Sequence, residues 1–211
     1  MIRRFTLMLL GAVLAVASAL AQEDDMIGKL GAARSALAAK DYVRAIEWLD
    51  QMPLGEQQQP VALNLRGAAL TELKRWQEAG SCFEMALERS PSYWPARFNL
   101  AELDFQQKDY VESERKYRAF LGVYPGNEIA LYKLFLITAL TKPVLELRQA
   151  LQETPFPAHS IALRMCQLVL LIREGKTGEA RHLQNVISSI YLPDLTDPYF
   201  ESLEFLGWKH R

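Results

Sequence analysis

Apolar segments alternate along this chain with short polar turns, and the spacing between them repeats. Three turns read almost alike: KDYVRA at Lys40 to Ala45, KRWQEA at Lys74 to Ala79, and KDYVES at Lys108 to Ser113. Each places a basic residue two positions before an aromatic, at an interval of 34 residues. The register holds between the turns as well, since Gly67 falls on Ala101, Ala79 on Ser113, Phe83 on Tyr117, Ala86 on Phe120 and Pro91 on Pro125. A fixed period over many positions marks a structural repeat. Small residues recur where helices must approach closely, and aromatics recur where a large side chain must fill the gap.

Pro60 to Tyr93, with Gly67, Leu70, Ala79, Phe83, Ala86 and Pro91, resembles the tetratricopeptide repeat (TPR), a helix, a tight turn and an antiparallel second helix. Trp94 to Asn127 repeats the pattern with Leu100, Ala101, Ser113, Tyr117 and Pro125. Arg97 and Asp104 stand where the family usually has large apolar residues, and Phe120 stands where alanine is common. The unit before keeps Ala33, Tyr42, Ala45 and Leu49 but meets Pro53 early and runs into the polar stretch LGEQQQ. Beyond Asn127 the pattern loosens. EIALYKLFLITAL and VLELRQALQE, with Pro143 in the first turn of the second, form one expected pair; IALRMCQLVLLIREG and GEARHLQNVISSI form another.

The resemblance implies an all-α fold, a TPR-like solenoid of antiparallel helix pairs wound into a right-handed superhelix. Residues 22–59 are expected to form a shortened first repeat, 60–127 two well-matched units, 128–190 degenerate repeats and 191–211 a C-terminal cap. A helical hairpin in such an array is stable only when neighbours cover its apolar faces, so the last needs a lid. TDPYFESLEFLGWKH supplies one, with Thr196 or Asp197 as N-cap, Pro198 in the first turn, and Tyr199, Leu203, Leu206 and Trp208 toward one face. Lys40, Lys74 and Lys108 are expected near the ends of first helices, where a cation opposes the helix dipole, with Tyr42, Trp76 and Tyr110 packed in the turns.

Charge and the first residues set the compartment. Arg3 and Arg4 precede an apolar run from Phe5 and a small-residue site at Ala19 and Ala21, the order of a secretory signal peptide over residues 1–21. Its loss would leave 22 cations against 25 acids, a net charge of −3 with histidines neutral. A mildly acidic chain with no basic run lacks the footprint of a nucleic-acid binder. The expected location is periplasmic or secreted, with no stable membrane insertion after cleavage; retention of the segment as an anchor is the alternative.

Chemical motifs are weak. GKTGEA at Gly175 lacks the earlier glycine of a phosphate loop, where Leu170 stands, so a helix-to-helix turn is expected. His159, His182 and His210 have no second ligand at helical spacing, and no GxSxG nucleophile turn occurs. No catalytic residue, cofactor or metal is expected. Cys82 and Cys166, on helices far apart in the repeat order, are expected as two separate buried thiols.

In the TPR family the first helices line a concave groove that receives a peptide or a partner's helix. Carried onto this chain, the groove positions are Asn64, Ala68 and Thr71, then Phe98, Glu102 and Phe105, then Tyr132 and Leu136. An aromatic and aliphatic strip of this kind suits an apolar segment or helix. A carboxylate clamp of the family would find only Asn99 and Lys133 in place. The expectation is a non-catalytic adaptor or scaffold binding another exported or envelope protein. The alternatives are an enzyme or regulatory subunit with a site assembled only in three dimensions, and a self-associating scaffold. The C-terminal segment itself is a second candidate to cover Phe98, Phe105 and Tyr132.

Overall fold

A dipeptide at each repeated turn closes one helix and opens the next. The computed structural model describes residues 25–157 and 159–209; the signal-peptide reading and His210 lie outside them. Residues 25–38 form α1, followed by α2 (Tyr42–Asp50), α3 (Leu54–Gln57), α4 (Pro60–Glu72), α5 (Trp76–Arg89) and α6 (Trp94–Gln106). Then come α7 (Tyr110–Val123), α8 (Glu128–Thr141), α9 (Val144–Glu153), α10 (Ile161–Arg173), α11 (Thr177–Ile190) and α12 (Pro193–Phe200), and a 3-10 helix over Glu201–Leu206. No strand occurs among the described residues.

Lys40, Lys74 and Lys108 adopt left-handed backbone conformations, with φ of 59°, 60° and 63°. Around the first, the Lys40 amide donates to Leu37 O and the Asp41 amide to Ala36 O; the same pair of bonds recurs at Lys74 and Arg75, and at Lys108 and Asp109. This is the Schellman closure of a helix, usually built on glycine, and Gly175 makes it in that form at φ 73°. The next residue then starts the second helix. Asp41 Oδ1 accepts from the Arg44 amide at 3.1 Å and Asp109 Oδ1 from the Glu112 amide at 3.2 Å. Arg75, in the same place, makes no such cap. One interval further on, Lys142 is extended (φ −121°) because Pro143 follows it, and Pro143 is the N-cap of α9 instead of a first-turn residue.

Two compact units divide the chain between Leu103 and Asp104, within α6. In the first, α4 packs on α5 and on α2. Its main core joins Leu63, Leu70, Ala79, Cys82, Phe83, Ala86, Ala96 and Leu103, all buried, and a smaller one joins Leu30, Ala33, Leu49, Met52 and Ala62. The polar stretch after Pro53 is not a plain loop. It forms the single turn α3, whose Gln57 Nε2 donates to Met52 O at 2.7 Å and Asp50 O at 3.2 Å, closing the short α2. Arg97, where the repeat favours an apolar residue, is exposed and donates to Pro91 O at 2.6 Å and 3.1 Å.

In the second unit α8 is the central element, packed by α7, α9 and α10. Ala130, Tyr132, Lys133, Phe135, Leu136, Ile137 and Ala139 of this helix are all buried. Asp104, another departure from the apolar pattern, forms an ion pair with Lys116 at 2.7 Å. Phe120 is buried against Tyr124, ring centroids 4.9 Å apart.

The helix of the C-terminal cap begins earlier than expected. Pro193, not Pro198, takes the first helical position of α12, and Leu192 is its N-cap. Thr196 does not cap; its hydroxyl donates back to Pro193 O at 3.2 Å. Pro198 lies inside the helix, where its ring deprives the Asp194 carbonyl of its helical donor. After Phe200 the chain tightens into the 3-10 helix and ends at Gly207 with φ 72°.

Candidate recognition surface and its resident segment

The positions expected to line a groove divide between the two units. In the first unit Asn64 and Ala68 on α4 and Phe98 and Glu102 on α6 are half-buried. Asn64 Oδ1 accepts from Asn99 Nδ2 at 2.9 Å, a side-chain bridge between two first helices. Thr71 is buried, and its hydroxyl donates to Gly67 O at 2.9 Å, so it presents little to a partner.

In the second unit the three remaining positions are closed. Phe105, Tyr132 and Leu136 are each 0% exposed. The occupant over Phe105 and Tyr132 is the chain's own C-terminal segment. The Tyr132 hydroxyl donates to Tyr199 O at 3.0 Å, and the two rings meet edge-on with centroids 5.0 Å apart. Lys133 Nζ donates to Ser202 Oγ at 3.0 Å and lies 4.8 Å from the ring centre of Phe105. Phe105 in turn packs on Phe205, centroids 4.7 Å apart.

Three contacts therefore come from Tyr199, Ser202 and Phe205, spaced three residues apart. Ser202 and Phe205 lie in the 3-10 helix, where residues i and i+3 eclipse, and Tyr199 keeps the same step from the last turn of α12. An α-helical reading of the segment instead picks out Tyr199, Leu203 and Leu206 and misses Phe205. Leu203 is buried, and Phe205 and Leu206 are both half-buried. Beyond Gly207, Trp208 Nε1 donates to Gln184 Oε1 at 2.9 Å, and the Arg181 guanidinium lies 4.4 Å from the Trp208 ring centre. The tail is thus fixed to α11 at one end and laid across α8 and α6 at the other, besides touching α10.

No protein-family model matches the chain. Among solved structures, MamA from Desulfovibrio magneticus RS-1 aligns with a TM-score of 0.56 at 18% identity, over 79% of this chain and 95% of that one. A tetratricopeptide repeat protein from Parabacteroides merdae aligns with a TM-score of 0.55 at 18% identity, over 87% and 74% respectively. A double mutant of MamA from strain RS-1 gives 0.55 and 18% over 79% and 94%. The chain has a TPR-like fold.

Within that TPR-like frame the candidate clamp residues serve internal contacts: Asn99 is bonded to Asn64, and Lys133, 6% exposed, to Ser202. The repeated aromatics Tyr42, Trp76 and Tyr110 are the first residues of α2, α5 and α7 and are half-buried there; Trp76 borders the main core of its unit, and Tyr110 meets Phe105 at 5.6 Å. Gly175 is the helix-closing turn between α10 and α11. Cys82 and Cys166 are both free and buried, and burial holds each thiol above its ordinary range. Among the described residues no three His, Cys, Asp or Glu side chains gather to hold a metal ion. Nor is any described helix long and apolar enough to cross a membrane.

Proposed function

We propose that this protein is a non-catalytic adaptor or scaffold of the bacterial envelope, exported by cleavage after Ala21, whose first-helix surface holds a helical segment of another protein. The observation that carries the reading is the way the second unit uses that surface. Phe105, Tyr132 and Lys133 receive a short helical segment through ring contacts, a hydroxyl-to-carbonyl bond and an ammonium-to-hydroxyl bond. Those are the elements of helix-in-groove recognition, performed within one chain. The half-buried Asn64, Ala68, Phe98 and Glu102 of the first unit are the remaining positions for an external segment.

Crosslinked capture from an envelope fraction, using residues 22–211 beside a folded Phe98→Ala variant, tests the reading. A protein retained by the native chain and lost with Phe98→Ala supports it. Identical captures from both, or none from either, remove the first-unit surface as the working site.

A further inference from the structure

We propose that the C-terminal segment from Pro193 to Trp208 is a displaceable resident ligand, and that the second unit accepts in its place a helical segment carrying aromatic, oxygen acceptor and aromatic at three-residue steps. This deepens the functional reading above and rests on it for the existence of an external partner.

The position of the segment is the first argument. A lid needs only to seal the final pair, α10 and α11. This one crosses to α8 and α6, where Tyr199, Ser202 and Phe205 meet Tyr132, Lys133 and Phe105 in sequence. Its build is the second argument. Pro198 removes a helical hydrogen bond from α12, and the following six residues are 3-10, a geometry with poorer hydrogen bonds that rarely runs past one turn. The segment's fold is therefore dictated by the surface on which it lies, as for a bound peptide. Its attachment is the third. Residues Tyr191 and Leu192 are extended, and Ile190, Leu192 and Leu195 are 59%, 70% and 53% exposed, so the link that would act as the hinge is held mainly by the half-buried Tyr191, whose hydroxyl donates to His159 O at 3.3 Å.

The partner chemistry follows from the contacts. Tyr132 offers a hydroxyl donor and an edge-on ring, Lys133 offers an ammonium, and Phe105 offers a ring that both Lys133 and Phe205 meet. A segment with serine or a carboxylate between two aromatics satisfies all three. A carboxylate would convert the Lys133 contact from a hydrogen bond to a neutral hydroxyl into a charge-assisted one.

The test uses the mature chain, residues 22–211, and a fluorescent peptide of residues 191–209. Phe205→Ala weakens the resident segment without altering the surface under it. The expected result is that the variant keeps its helical circular dichroism and binds the peptide about tenfold more tightly than the native chain, whose own segment competes for the same place. Hydrogen exchange on the native chain supplies a second readout independent of any variant: amides of α12 and the 3-10 helix are expected to exchange at least about tenfold faster than those of α8, through a local opening. Loss of folding in Phe205→Ala, equal peptide affinity for both proteins, or protection of the segment equal to that of α8 would each overturn the proposal and make the segment a structural lid. Neither readout needs an envelope partner. If the segment opens and the freed surface captures nothing from the envelope fraction, the functional reading fails while the latch stands.

Discussion

Gly67 on α4 lies flat against the ring of Phe83 on α5. A Cβ at position 67 would fall 2.5 Å from Phe83 Cε1 and 2.8 Å from two further ring carbons, inside any real contact distance. Phe83 is fully buried, so its ring has little room to retreat. Gly67→Ala is therefore expected to destabilise the protein by about 1–3 kcal/mol, the usual cost of overpacking a core. Combining it with Phe83→Leu should cost less than the sum of the two changes, which urea denaturation of the four proteins would measure.

The lysines at the helix closures give a prediction of opposite sign. A left-handed backbone costs a non-glycine residue about 1–2 kcal/mol, and glycine avoids that while losing more entropy on folding. Lys74→Gly and Lys108→Gly, at φ 60° and 63°, are each expected to stabilise by about 0.5–1 kcal/mol net. Lys142→Gly, at an extended position of the same period, should be neutral or destabilising. Thermal melts of the three variants would reveal an error if all moved together.

Alkaline pH should weaken the fold. Burial raises the Cys166 thiol well above its usual 9.0, and Tyr199 is pushed far above its usual 10.0 by burial, with Glu128 and Cys166 adding to the effect. Both groups keep their protons in the native state over a range where the unfolded chain has lost them, so their contribution is whole below about pH 8 and declines as pH rises past each unfolded value. The urea midpoint is expected to fall between about pH 8.5 and 10.5. Cys166→Ala should flatten the early part of the decline, and a midpoint that rises over this range would contradict the assignment.

Thiol chemistry provides a check on the packing of both units. Cys82 is 5% exposed and Cys166 is 0% exposed, and neither is paired. Two equivalents of a thiol reagent should react rapidly in denaturant and slowly in buffer, with Cys166 the slower. Rapid native labelling of Cys166 would show that α10 opens readily.

How far the fold could be read from the residues depends on whether the signal was periodic. The 34-residue register exposed the helix pairs because Gly67, Ala79, Phe83 and Ala86 must recur wherever two helices close on each other. It placed the turn lysines but not their left-handed backbone, since glycine is the usual marker of that conformation and lysine carries no such signal. The candidate surface was less legible. Asn64, Ala68, Phe98 and Glu102 are half-buried, whereas Leu136 is buried and Phe105 and Tyr132 are covered by a segment more than 60 residues later in the chain. Two prolines, Pro193 and Pro198, could each have opened the last helix, and the switch from α to 3-10 after Phe200 added Ser202 and Phe205 to the contacts made beside Tyr199 and the buried Leu203. Non-local packing decided both, and no local periodicity encodes it.

The three-residue links that join α4 to α5, α6 to α7 and α10 to α11 bear on how the chain survives among proteases. A protease must draw an exposed, pliable stretch into its cleft, and loop tips are where nicking concentrates. A turn whose amides are already bonded back into the preceding helix offers no such stretch. The interval from 154 to 160, between α9 and α10, is the longest between described helices. Limited digestion is therefore expected to begin there, separating the repeats that end with α9 from the pair α10 and α11 and the tail.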